Sequence, residues 1–172
     1  ALRRAAPERA QGITHSFDML GEAAMTFADA ETYRQSYEAA LTRLAREAGA
    51  GVARSPGISV KLSALHPQYN VLHAEEAKAA MVPVVRALAA QARDADIHFT
   101  IDAEEADRLE LSMDIIEALV ADDGLFIRPD GARWCGFGLA CQAYQKRGVP
   151  MVDWTARLAR RYGRKLFVRL VK

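Results

Sequence analysis

The chain switches repeatedly between two hydrophobic periodicities. Short stretches that alternate apolar and polar residues, as a strand with one buried face does, are separated by longer segments with apolar residues at helical spacing. The alternations run over residues 13–18, 58–63, 97–102, 137–142 and 166–171. Between them Tyr33, Tyr37, Leu41, Leu44 and Ala48 share one helical face, closed by Gly49. Ala77, Met81, Val84 or Val85, Leu88 and Ala92 share the next, and Pro83 inside it predicts a kink or two shorter helices. Leu109, Met113, Ile116 and Val120 mark a third, and a fourth runs over 152–162 up to Gly163. A polar loop with Asp122, Asp123, Pro129 and Gly131 precedes the fourth strand.

Strict strand–helix alternation predicts parallel strands joined by crossover helices. An open doubly wound sheet and a (β/α)8 barrel both satisfy it, and the strand faces decide between them. One face is apolar in nearly every strand: Ile13 and Phe17; Ile58, Val60 and Leu62; Ile97, Phe99 and Ile101; Phe137, Leu139 and Cys141; Leu166, Val168 and Leu170. The other carries Thr14, Ser16 and Asp18; Ser59, Lys61 and Ser63; His98, Thr100 and Asp102; Gly138, Ala140 and Gln142; and Arg169. Strands of a doubly wound sheet are buried by helices on both faces. A face this polar suits instead the lumen of a TIM-type α/β barrel. At about 31 residues per β/α unit, 172 residues supply about five of the eight units. The expectation is therefore one partial barrel domain over residues 1–172.

Composition narrows the function classes. With 23 basic and 22 acidic residues the net charge is +1, which excludes polyanion binding driven by bulk charge and predicts no nucleic-acid binding by this segment. A 51% hydrophobic content excludes general disorder. No uncharged apolar run reaches the ~18 residues of a membrane span. Two cysteines, Cys135 and Cys141, form no disulfide framework and favour a reducing, cytoplasmic setting. Gly136-Phe137-Gly138 lacks the third glycine of a dinucleotide fingerprint, and the four histidines and two cysteines have no metal-ligand spacing, so no metal is predicted. Arg157, Arg160, Arg161, Arg164 and Lys165 read as a solvated helix face, and Tyr144 and Trp154 as packing residues.

Barrel sites sit at the C-terminal ends of strands. Those ends carry Asp18, Lys61, Asp102, Gln142 and Arg169, with Lys172 just beyond. Lys61 suits a carboxylate-binding cation, a Schiff-base nucleophile or half of a salt bridge with Asp18 or Asp102. Gln142 offers both a donor and an acceptor, for a heterocycle edge or for capping its strand. Arg169 stays protonated, so an inward Arg169 implies an anionic or electron-rich partner. Glu104, Glu105 and Asp107 read as acidic residues favouring a helix N-terminus.

Five strings at the strand ends carry a resemblance. They are Phe17-Asp18-Met19-Leu20-Gly21-Glu22-Ala23-Ala24, Val60-Lys61-Leu62-Ser63-Ala64-Leu65-His66-Pro67, Ile101-Asp102-Ala103-Glu104-Glu105, Gln142-Ala143-Tyr144-Gln145-Lys146-Arg147 and Val168-Arg169-Leu170-Val171-Lys172. Together they resemble the proline dehydrogenase domain of the bifunctional proline utilization A flavoenzymes. The resemblance implies a distorted barrel that binds FAD noncovalently and oxidises L-proline to Δ1-pyrroline-5-carboxylate by hydride transfer to flavin N5, with a quinone as electron acceptor. It implies substrate binding by Lys61 and Asp18, and catalytic roles for Asp102 and Arg169. Ala103, Gln142, Arg169 and Lys172 would contact the cofactor. It further implies a pyrroline-5-carboxylate dehydrogenase domain in a longer parent chain, which is cytoplasmic and compatible with peripheral association at the inner membrane and with a homo-oligomer. The later strands and the closing helix of such a domain are absent, so the 172-residue piece is expected to be inactive alone. A Schiff-base aldolase using Lys61 and a non-enzymatic structural module are the competing readings.

Overall fold

The computed structural model describes residues 1–172. Its five strands, β1 (Ser16–Asp18), β2 (Gly57–Val60), β3 (His98–Ile101), β4 (Phe137–Gln142) and β5 (Phe167–Val171), form one sheet in the order β1-β2-β3-β4-β5. Every neighbouring pair is parallel. A doubly wound sheet reverses its order at a switch point. Here the order follows the chain throughout, as in a barrel wall.

The helices are α1 (Leu2–Arg9), α2 (Phe27–Ala45), α3 (Ala74–Asp94), α4 (Leu109–Ala121) and α5 (Gly148–Tyr162). From α2 to α5 each packs on the next, making one layer over one face of the sheet. Between sheet and helices lies the core, with Ile58, Val60, Phe99, Ile101, Phe137 and Leu139 all 0–1% exposed. This is the apolar strand face predicted from the alternation. The architecture is five consecutive units of a TIM-type (β/α)8 barrel.

Local chemistry sets the element boundaries. Thr26 caps α2: its hydroxyl accepts from the Asp29 N–H at 3.1 Å, and Asp29 accepts in return from the Thr26 N–H at 2.9 Å. Helix α3 is a single helix, not two. Pro83 and Ala79 both face solvent, so water can satisfy the Ala79 carbonyl that loses its helical donor. Gly163 closes α5 in the left-handed conformation, φ 62°. Gly57 lets β2 approach β3, because a Cβ there would meet His98 Cβ at 2.6 Å.

Several expectations are corrected. The alternation over 13–18 yields only three strand residues, and Ile13 is 48% exposed. The chain leaves β2 at Lys61 for a 3-10 turn, Leu62–Ala64, three residues before the predicted end. Helix α1 had no prediction; its apolar content is low, and Arg9 pairing with Glu47 ties it to the end of α2. The loop before β4 is not merely polar. It sends Leu125, Phe126 and Trp134 into the core, where the Trp134 indole donates to the Ile97 carbonyl at 3.1 Å. Arg164 leaves the solvated face: its guanidinium lies 4.5 Å over the Phe126 ring and donates to the Val120 carbonyl and to Asp123. Tyr144 is 63% exposed rather than packed, whereas Trp154 is partly buried against the core.

Candidate active site

Strand register stacks the polar face in layers. Asp18 pairs with Ser59, Ser59 with Thr100, Thr100 with Gly138, and Gly138 with Phe167. Two residues further along each strand come Lys61, Asp102, Ala140 and Arg169. Parallel pairing puts these on the same face, so Lys61 and Asp102, each just past the end of its strand, converge with Arg169 of β5 above the sheet.

The side chains meet. The Lys61 ammonium donates to both Asp18 carboxylate oxygens at 2.8 Å and to Asp102 Oδ2 at 3.2 Å. Arg169 Nη2 donates to Asp102 Oδ1, and its Nη1 to Ser59 Oγ at 3.2 Å. Asp102 thus holds two cations from opposite sides, one on each oxygen. Its side chain is 11% exposed and that of Lys61 16%, against 53% for Asp18 and 46% for Arg169. The two inner groups are anchored, and the outer two face open space.

Lys61 is fixed from its backbone as well. Its N–H donates to the buried Tyr37 hydroxyl of α2 at 3.2 Å. Burial pushes the Tyr37 phenol up to about 12, so it remains a neutral partner at physiological pH. Burial alone would lower the Lys61 ammonium, but Asp18 and Asp102 outweigh that and hold it above the usual lysine range. An amine nucleophile must be neutral, so this pairing opposes Schiff-base chemistry at Lys61. Tyr37→Phe should cost about 1 kcal/mol by leaving that N–H without its partner. Thermal unfolding should show a midpoint about 2–4 °C lower.

The remaining candidates sit at the rim. Gln142 ends β4 and donates to the Glu104 carbonyl at 3.0 Å, and Gln145 donates to its side-chain oxygen. Ala103 follows Asp102 and shares a small hollow with Gln142 and Ala140. Lys172 lies exposed beyond β5, outside the ion-pair network. A cleft of about 840 Å³ beside α1, lined by Arg9, His15, Glu47 and Arg54, lies at the opposite end of the strands.

Sequence reasoning missed three participants. Ser59 had the right parity, but a serine low on a strand carries no charge signal. Tyr37 was assigned to the helical core face; nothing in the spacing shows that its hydroxyl crosses to β2. Glu104 was read as a helix-terminus acid. Helix α4 instead begins at Leu109, and the Glu104 carboxylate turns inward to accept from the Ser63 N–H at 3.1 Å. Burial pushes its carboxyl up.

Sequential parallel strands, one helical layer and paired charges at the strand C-termini define a barrel enzyme. Comparison with known proteins narrows the class: residues 1–172 match the proline dehydrogenase family. The bifunctional protein PutA of Rhizobium meliloti is 46% identical over 172 residues, covering 100% of this chain and 13% of that protein. The bifunctional protein PutA of Salmonella typhimurium is 43% identical over 173 residues, with the same coverage. A crystal structure of a variant of Bradyrhizobium japonicum proline utilization A superposes with a TM-score of 0.86 at 48% identity, over 94% of this chain and 16% of that one. The chain belongs to the proline dehydrogenase family, a family of oxidoreductases, and spans about an eighth of the length of its curated relatives.

Proposed function

We propose that this chain is the first part of the barrel of a flavin-dependent proline dehydrogenase, which oxidises L-proline to Δ1-pyrroline-5-carboxylate and passes the electrons to a quinone. The observation that carries the reading is Asp102 gripping Lys61 and Arg169 from opposite sides, with Arg169 half exposed. Two cations at fixed spacing suit two tasks, holding a substrate carboxylate and stabilising negative charge on an electron acceptor.

The residues fit a flavin. Inward on β4, Gly138 and Ala140 precede Gln142, and two residues this small suit a planar ring system. Arg169 and Gln142 flank that bare stretch, and Ala103 and Lys172 stand at its rim. These four would hold FAD. When bound, the flavin supplies the acceptor for the electron pair and hydrogen leaving proline C5. Arg169 keeps a permanent positive charge beside the acceptor, where preorganisation lowers the barrier. Lys61 binds the proline carboxylate and orients C5. Asp18, its more exposed partner, is the carboxylate that the substrate replaces. Asp102 keeps both cations in register throughout.

In this reading the chain works inside a longer parent that also carries a pyrroline-5-carboxylate dehydrogenase domain. The product of the first reaction, or its hydrolysed aldehyde form, is the substrate of the second. No helix is long and apolar enough to cross a membrane. Two free cysteines accord with a cytoplasmic parent, and reduction of a quinone gives it reason to visit the inner membrane surface. The proposal is tested by incubating the full-length parent with L-proline and o-aminobenzaldehyde, which traps the cyclic imine as a coloured adduct. Adduct should form in proportion to quinone reduced. Quinone reduction without adduct would contradict the assigned product.

A further inference from the structure

Ser63 and Glu104 form a bridge for which the proposed chemistry has no use. Ser63 lies in the turn after Lys61 and is 3% exposed. Its N–H donates to Glu104 Oε1 at 3.1 Å, its hydroxyl accepts from the Ala23 N–H at 3.1 Å, and its carbonyl accepts from the Ala24 N–H at 2.9 Å. Glu104 lies two residues beyond Asp102, and its carbonyl accepts from Gln142 Nε2 at 3.0 Å. One run of hydrogen bonds thus ties together the segments following β1, β2 and β3 and the end of β4.

Two costs mark this bridge as built for a purpose. An inward carboxylate gives up water, a loss that needs hydrogen bonds to offset it. Ala23 adopts φ 54°, a left-handed conformation that a residue with a Cβ takes only when its surroundings enforce it. An alanine or an outward glutamate at position 104 would avoid the first cost if the segments needed only to be covered. What the bridge secures is spacing: Lys61, Asp102 and Gln142 are each within two residues of it or bonded to it.

We propose that Glu104 is a positioning residue for the site, its side chain fixing the turn that follows Lys61 and its carbonyl fixing the amide of Gln142. The proposal rests on the proline-oxidation reading and adds to it a residue that touches neither substrate nor cofactor. Its effect should appear in carboxylate binding, because Lys61 is the group most directly displaced.

The test uses the full-length parent with bound flavin. Glu104→Gln keeps an oxygen at the same reach. Glu104→Asp keeps the charge but is one methylene too short for the Ser63 N–H, and Glu104→Met keeps the length without an acceptor. The readouts are kcat and KM for proline, and the dissociation constant of tetrahydrofuran-2-carboxylate followed by flavin absorbance. Loss of one buried hydrogen bond predicts about a tenfold rise in both constants for Glu104→Asp and Glu104→Met. Their kcat should change less than about threefold, and Glu104→Gln should stay within about twofold of wild type on every measure. Weakening by Glu104→Gln equal to that by Glu104→Asp would overturn the proposal, since charge rather than the bond would then matter. So would unchanged constants in Glu104→Asp with a lowered unfolding midpoint, the mark of a purely structural residue. The dissociation constants need no turnover, so a wild-type protein that binds the probe but fails to oxidise proline would count against the oxidation reading alone.

Discussion

Arg169→Met in the full-length parent should slow flavin reduction by about a hundredfold while changing the apparent proline dissociation constant by less than about threefold. The guanidinium does two things in the structure. It shares Asp102 with Lys61, and it extends from β5 with its side chain 46% exposed. Methionine has similar length and removes only the charge and the donors. Asp102 keeps Lys61 as a partner at 3.2 Å, so the proposed carboxylate site survives. What is lost is a fixed positive charge where electron density builds during reduction, and such preorganised charges are worth about 3 kcal/mol in the rate. Stopped-flow absorbance under anaerobic conditions separates the two quantities. Equal losses in rate and binding would contradict the division of labour between the two cations.

Lys61→Ala should do the reverse, raising the proline constant by about ten- to a hundredfold with a smaller effect on the rate once proline is bound. A carboxylate bound to an ammonium loses about 1.5–3 kcal/mol when the cation is removed. Part of the loss reflects Asp18 and Asp102, which then repel the substrate carboxylate. The pH dependence has a definite sign. The folded-state pKa of Lys61 is raised, so its charge and pairings are fully present below the ordinary lysine value of about 10.4. They are lost only as pH rises through the higher folded value. Proline binding should therefore show no loss attributable to Lys61 between pH 7 and pH 9, a range in which a Schiff-base lysine would titrate. A rise in the proline constant over that range that disappears in Lys61→Ala would contradict the ion-paired assignment.

Strand parity made much of this charged cluster legible in advance. Because side chains alternate along a strand, placing Ile58, Val60 and Leu62 on one face put Ser59 and Lys61 on the other, and the same arithmetic put Asp102 and Arg169 inward. Register then brought them into one layer, and their opposite charges closed the contacts. Residues that act across elements rather than along them were not legible. Tyr37 reaches Lys61 from a helix whose pattern declares only a buried face, and Glu104 reaches Ser63 across a turn that the alternation hid. Leu62 and Ser63 continue the apolar–polar rhythm of β2 although the backbone has already turned. Likewise Phe126 and Trp134 sit among aspartates, glycine and proline, so the segment's average polarity concealed its core contacts. In each case tertiary packing decided what periodicity could not.

The most direct measurement is an anaerobic titration of the full-length parent, with flavin bound, by L-proline. The flavin absorbance should bleach with one proline consumed per flavin, and Arg169→Met should bleach to the same end point far more slowly. Flavin that stays oxidised while saturating proline is bound would contradict the assignment of this barrel to proline oxidation.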